Sequence, residues 1–249
     1  MAEAVVHTYS ITGRCARTGE VGAAVASAVP AVGAICLYGR AGVGCVSTQS
    51  WVNPYLAVAT LDCLAEGAEA AEALAAALEA DSAAAFRQIG AIGRRGGGAA
   101  HTGAACTSWA GERSADDHAA LGNMLTGPEV LEAMSASFAA APDEPLEERM
   151  MRALEAAQRC GGDKRGRQSA GLLVYGTEIY PRVDLRVDEH ADPVRELRRV
   201  LRVATAQLAP FVAGMPRRGE PTAPPPGAVV DMLLRSPPDR PGGGGSSKA

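Results

Sequence analysis

Residues 20–27 read Glu-Val-Gly-Ala-Ala-Val-Ala-Ser. In an extended chain, side chains alternate between two faces. Val21, Ala23, Val25 and Ser27 then share one face, and Gly22, Ala24 and Ala26 share the other. A strand with small or apolar residues on both faces has to be covered on both sides. It belongs inside a layered fold. The preceding run, residues 7–14, alternates in the same way, and a turn at 15–19 joins the two. This hairpin is the element around which the rest of the chain is expected to arrange itself.

Further strands are expected at 35–38 and 43–49, split by a turn at Gly39-Arg40-Ala41-Gly42. Asn53-Pro54 opens a helix that Gly67 ends, and a second, alanine-rich helix covers 69–80. Residues 87–92 and 98–102 read as a hairpin, 104–117 as a polar loop around Trp109, and 118–124 as a strand. Thr126 is the expected cap of a helix running to about 140, with Pro128 in its first turn. Another helix spans 145–159, two strands follow at 168–175 and 180–187, and a last helix covers 192–211. The expected organisation is an N-terminal extension at 1–6, one domain at 7–213, and a disordered Pro/Gly-rich tail at 214–249 with a short apolar docking segment at 229–234. Strands adjacent in sequence and helices arriving in pairs predict an α+β fold: a four-layer α-β-β-α sandwich of two mainly antiparallel sheets, with a two-layer α+β arrangement fitting nearly as well.

Composition narrows the function. A net charge of −4 with 21% charged residues gives no polybasic surface for nucleic acid or an anionic membrane. Aromatic residues at 4% are too few for a base-stacking platform. No run reaches the ~18–20 apolar residues of a spanning helix. The first residues lack a basic segment and an apolar core, so no secretory signal is read there and a cytoplasmic protein is expected. The six cysteines form no CxxC pair and read as buried small apolar residues. A small-molecule substrate is expected, without nucleic acid or membrane as partner, and a homo-oligomer is left open.

Several motifs are decoys. Gly161 to Gly166 has phosphate-loop glycines but lacks the Lys-Ser/Thr and the strand-to-helix setting. His101, His118 and His190 are far apart without a second ligand at helical spacing, and Asp116-Asp117-His118 reads as a solvated loop, so no metal or cofactor is expected. No Gly-x-Ser-x-Gly elbow marks a serine nucleophile. A Cys-His pair using Cys106 or Cys45 stays open without local support. Only Lys164 and Lys248 are lysines, which leaves little room for a Ser-Lys pair.

A hydroxyl nucleophile can instead use its own α-amino group as base, because an amine with pKa about 8 titrates near working pH. Thr8 heads the first strand and would qualify if the bond to His7 were cut. On composition alone it is equally a β-branched residue starting a strand.

The motifs Thr8-Tyr-Ser-Ile-Thr12, Thr18-Gly-Glu-Val-Gly22 through Ser27, Pro30-Ala-Val-Gly33, Arg40-Ala-Gly-Val-Gly44, Thr48-Gln49, Arg87-Gln88, Ala100-His-Thr-Gly103, Leu121-Gly-Asn-Met-Leu125, Gly161-Gly-Asp163, Arg165-Gly-Arg-Gln-Ser-Ala170 and Val183 to Asp188 occur in order. Together they resemble the domain of unknown function 1028 family over about residues 7–200. That family is grouped with the N-terminal-nucleophile (Ntn) hydrolases and resembles their sandwich. The resemblance implies amide hydrolysis with Thr8 as nucleophile. It implies that a backbone N–H and Asn123 hold the oxyanion, and it places Ser27, Arg40, Gln49, Arg87, His101, Asp163 and Arg165 around a substrate. Arg40 falls near the lysine position of proteasome-type relatives, where it would lower the amine's pKa or bind an anion. Members usually begin Met-Thr, whereas seven residues precede Thr8 here. The alternatives are a ligand-binding protein without catalysis, taking a small anionic molecule, and an oligomeric interaction scaffold. Asn123 as a helix cap and Arg87 or Arg165 as turn-stabilising residues are the competing structural readings.

Overall fold

The computed structural model describes residues 8–234. The extension expected at 1–6, the His7 side of its junction and the last part of the expected tail lie outside the described residues. The chain divides into one unit through Arg198 and a second from Arg199.

In chain order the first unit contains β1 (Thr8–Arg14), β2 (Val21–Ser27), α1 (Val32–Cys36), β3 (Leu37–Arg40), β4 (Gly44–Ser50), α2 (Pro54–Ala65), α3 (Ala70–Glu79), β5 (Arg87–Gly93), β6 (Ala99–Thr102), β7 (Gly111–Ser114), β8 (His118–Asn123), α4 (Glu129–Ala139), α5 (Leu146–Arg159), β9 (Ser169–Tyr175) and β10 (Val183–Val187). Helix α6 (Pro193–Gln207) begins in it, and α7 (Ala209–Ala213) and α8 (Gly227–Leu234) belong to the second unit.

The fold is mixed α+β with two antiparallel sheets. One has six strands in the order β10-β9-β2-β1-β8-β7, the other four in the order β3-β4-β5-β6. The expected hairpin forms, Thr8 opposite Ser27 and Arg14 opposite Val21. Strand β2 is buried along its whole length, and it lies between β1 and β9 with α5 against one side and β4 against the other. Double burial explains its two apolar faces.

Helix α5 packs on β1, β2 and β9, and α4 on β7 and β8. Helices α2 and α3 cover β4 and β5. Leu56, Ala57, Thr60, Leu61 and Leu64 form the buried stripe of α2, at helical spacing. Each leucine so buried contributes about 1.5–3 kcal/mol. The start of α2 is set by Asn53, whose side chain accepts the Tyr55 N–H, and by Pro54 in the first turn. Glu69 and Glu72 make a reciprocal capping box at α3. The α4–α5 pair approaches closely over Gly13, where an added Cβ would lie 2.5 Å from Phe138 Cζ. Any larger residue there pushes the helices off the sheet.

Four local expectations change. The strand expected at 35–38 is α1 followed by β3, because Ala31 turns left-handed (φ 53°) and the Val32 N–H is captured by Ser169 Oγ. That start buries Val32 and Cys36 on a helical face. The polar loop at 104–117 contains β7, a half-exposed edge strand too short to show alternation. Thr126 does not cap α4: its hydroxyl donates to the Cys160 carbonyl, and the helix begins at Glu129. The helix expected over 192–211 is two, α6 and α7, since Pro210 in the first turn of α7 has no N–H to continue the ladder. Residues 227–234, inside the stretch expected as tail, are helical. Among the described residues no helix is long and apolar enough to cross a membrane.

Candidate active site around Thr8

Thr8 is the first residue of β1, and the sheet places Ser27 on one side of it and Asn123 on the other. Residues directly opposite across a ladder bring their side chains within reach. The Thr8 N–H donates to Asn123 Oδ1 at 2.9 Å. The Thr8 hydroxyl donates to Ser27 Oγ at 3.2 Å. From the facing sheet, Gln49 Nε2 donates to the Thr8 carbonyl at 3.1 Å. All four residues are buried.

Behind Gln49 lies a polar network between the sheets. Ser10 Oγ donates to Gln49 Oε1 (2.6 Å) and sits 2.9 Å from Ser47 Oγ. Gln49 Nε2 also reaches Gln88 Oε1 at 2.8 Å. Gln88 Nε2 in turn faces the Gly122 carbonyl (2.8 Å), Thr102 Oγ1 (2.9 Å) and the Gly111 carbonyl (3.2 Å). Thr102 donates to Glu112 Oε2 at 2.5 Å. Buried amides survive in a core only when their partners are in place. Here the network holds Gln49, and Gln49 holds the Thr8 carbonyl.

The backbone marks the same place. Ser50 follows Gln49 with φ 63°, and Met124 follows Asn123 with φ 48°. A non-glycine residue in the left-handed region costs about 1–3 kcal/mol, and such residues cluster at functional sites. The cost is met by fixed hydrogen bonds: Met124 N–H to the Thr107 carbonyl, and Lys164 N–H to the Met124 carbonyl.

The loop after α5 seals the other side. Asp163 is buried; its Oδ2 accepts the Ala28 N–H (3.1 Å) and the Arg165 guanidinium (2.8 Å), and its Oδ1 accepts the Arg165 N–H (2.9 Å). Gln168 N–H donates to the Ser27 carbonyl at 2.8 Å. The loop is thereby stitched to the ends of β2 and β8, the two strands that flank Thr8. It turns at Gly162 (φ 59°), where a Cβ would lie 3.0 Å from the Tyr9 ring.

The structure thus gathers Thr8, Ser27, Gln49, Asn123, Asp163 and Arg165. The other three expected residues are engaged elsewhere. Arg40 pairs with Gly44, at the far end of β4 from Gln49, and its guanidinium bonds Asp62 on α2 at 2.8 Å. Arg87 is adjacent to Gln88, but successive strand residues face opposite ways. Its guanidinium meets Asp81 and the Trp51 carbonyl, each at 2.7 Å. The hydrogen bond from Arg87 holds the Asp81 carboxyl below its ordinary range. His101 Nε2 lies 3.1 Å from the Ala84 carbonyl. Asn123 meets Thr8 through Oδ1, as the acceptor of the Thr8 N–H. Ser10 and Glu112 carry no site expectation from the sequence, and Thr102 enters it only beside His101 in the Ala100-His-Thr-Gly103 motif. The legible signal was polar side chains alternating along strands whose faces must be buried. Among the described residues no group of three or more His, Cys, Asp or Glu comes together as a metal site.

The family described as a family of unknown function, DUF1028, matches residues 8–197. The chain belongs to the DUF1028 family. The match begins at Thr8 and takes in every residue of the site. The crystal structure of the DUF1028 protein SPO2555 from Silicibacter pomeroyi is similar at 31% identity and a TM-score of 0.78, over 85% of this chain and 92% of that one. Anbu, an ancestral beta-subunit from Yersinia bercovieri, aligns over 86% of this chain and 100% of its own, at 12% identity and a TM-score of 0.36. That likeness is too low to carry an argument. No curated protein matches the chain.

Proposed function

We propose that this DUF1028 protein is an N-terminal-nucleophile amidohydrolase on a four-layer α-β-β-α sandwich, cleaving an amide bond of a small or peptide-like molecule with Thr8 as nucleophile. The observation that carries the proposal is the pair of contacts at Thr8: its nitrogen is held by Asn123 and its hydroxyl by Ser27. These are the two atoms that a terminal threonine uses as base and nucleophile. The pairing of α2 and α3 with one sheet, and of α4 and α5 with the other, supports the layer order.

Cutting the His7–Thr8 bond turns the Thr8 amide into an amine. Asn123 Oδ1 then accepts an N–H and turns the nitrogen lone pair toward Oγ1. Gln49, bonded to the Thr8 carbonyl, fixes the backbone so that this geometry is kept. The hydroxyl proton moves to the amine, directly or through one water, as Oγ1 attacks the substrate carbonyl carbon. An ester bond forms, the C–N bond breaks, and the leaving amine takes the proton. Water then hydrolyses the ester with the amine as base. No lysine is needed: Lys164 donates to the Ser108 carbonyl. Arg165, held by Asp163 and still about a third exposed (31%), is the cation for a substrate carboxylate.

Ligand binding without catalysis is the second reading. It is favoured if Thr8 N remains the peptide amide that the intact chain carries, since an amide nitrogen has no basic lone pair. Intact-mass measurement decides between them, combined with a peptide epoxyketone, which adds to both amine and hydroxyl of a terminal threonine. A chain starting at Thr8 and labelled there supports the hydrolase. A full-length, unlabelled chain removes it.

A further inference from the structure

Asp116 is exposed in a bend, as a solvated loop would have it, but His118 is not solvated. His118 is 1% exposed, and it stands opposite Gly13 while Asn123 stands opposite Thr8, which puts it at the other end of β1. His118 Nδ1 lies 2.7 Å from Asp117 Oδ1, and His118 Nε2 lies 2.7 Å from Ser135 Oγ on α4. Asp117 is held in turn by Arg149, whose guanidinium meets Oδ2 at 2.7 Å. Arg149 is itself buried and stacks 3.9 Å from the Phe138 ring centroid, and that ring packs on His118 at 4.9 Å. Burial opposes ionisation of Asp117, but hydrogen bonds from His118 and Arg149 outweigh it and keep the carboxylate charged. A carboxylate at Nδ1 makes that nitrogen the proton carrier, and leaves the Nε2 lone pair facing the Ser135 hydroxyl.

We infer that Ser135, His118 and Asp117 form a second reactive site, in which a base-activated serine takes an acyl or phosphoryl group from a small activated ester. Ser135 is the nucleophile, half-buried and on the outer helical layer. His118 is the general base and Asp117 its positioning residue. The Ser135 proton moves to Nε2 as the Oγ–acyl bond forms. The bond to the leaving group breaks, and the leaving oxygen takes the proton from Nε2. Ser135 lies inside α4, where backbone N–H groups are used by the helix ladder. With no backbone N–H of the α4 interior spare for an oxyanion among the described residues, the site is assigned activated esters and not amides. Nothing in this assignment depends on processing at Thr8.

The test is labelling of the full-length protein with a fluorophosphonate, with the adduct located by peptide mass spectrometry. An adduct on Ser135 is expected, absent in Ser135→Ala and undiminished in Thr8→Ala. General-base help is worth about 10²–10⁴-fold, so labelling in His118→Gln should slow at least about 100-fold. If His118→Gln does not fold, Asp117→Asn, which presents a donor to Nδ1 and so favours the wrong tautomer, is read instead. No adduct on folded wild type overturns the inference. So does labelling of Ser135 that neither variant slows.

Discussion

Asn123 Oδ1 accepts the backbone N–H of Thr8 at 2.9 Å, across a sequence separation of 115 residues. The contact places the side-chain oxygen of β8's last residue on the nitrogen that a terminal nucleophile would use as base. Asn123→Ala removes it. Misplacing a reacting group by about 1 Å costs on the order of 100-fold. Epoxyketone labelling of Thr8 should therefore slow about 100-fold in Asn123→Ala and recover in Asn123→Asp, which keeps an acceptor oxygen. Equal labelling rates in all three proteins would sink the role given to Asn123.

Gln88 is buried and links Gln49 to Thr102 and the Gly122 carbonyl. Gln88→Leu strands the partners of both ends of the amide. Each buried group left unsatisfied costs about 1–3 kcal/mol. For a domain of this size, 1 kcal/mol moves the melting point by about 2–4 °C. A drop of roughly 4–24 °C in thermal melting monitored by circular dichroism is expected. A variant melting with the wild type would show that the network is not holding the sheets together.

Asp81 and Arg87 form a pair with side chains 9% exposed each. Removing one partner of a buried pair costs about 3–5 kcal/mol, so Asp81→Ala should be strongly destabilised in urea unfolding near neutral pH. The hydrogen bond from Arg87 lowers the folded-state titration of Asp81. The unfolded carboxyl titrates near about 4. The pair's contribution is thus fully present above that pH, and is lost as pH falls from there through the lower folded value. The stability gap between wild type and Asp81→Asn should narrow with acidification over that window. A gap that stays constant down to the acid unfolding limit would contradict the ion-pair account.

Gly13 sits under Phe138, and a Cβ there would also lie 3.2 Å from Met150 Cε. Overpacking of this kind costs about 1–3 kcal/mol. Gly13→Ala should lower stability by that amount, and Phe138→Leu in the same chain should recover part of it. Simple additivity of the two changes in denaturant unfolding would mean that the residues do not compete for the same space.

Much of the scaffold was readable locally. The β1–β2 hairpin, α2 and α3, and the α4–α5 pair follow from apolar periodicity, turn residues and helix-start residues, all of which act over a few positions. The first helix was not. Its residues are as fit for a strand, and the backbone turn at Ala31 with the hydrogen bond from Val32 to Ser169, 137 residues on, overrides that preference. Strand β7 was missed because a short edge strand has one face wet and little pattern to show.

The site divides in the same way. Sequence alone determined that a hydroxyl residue heads a doubly buried hairpin, and that a Gly-Gly-Asp run follows the helix over 145–159. Tertiary structure decided which of these meet. Antiparallel register set Asn123 and Ser27 against Thr8, the facing of two sheets delivered Gln49, and strand reversal at the 39–42 turn left Arg40 at the far end of β4 from Gln49. It also closed Asp117, His118 and Ser135 into a chain across two elements. The physical reason is that periodicity and turn chemistry are short-ranged, whereas a polar cluster depends on strand register and layer packing, which couple residues a hundred positions apart and leave no local trace.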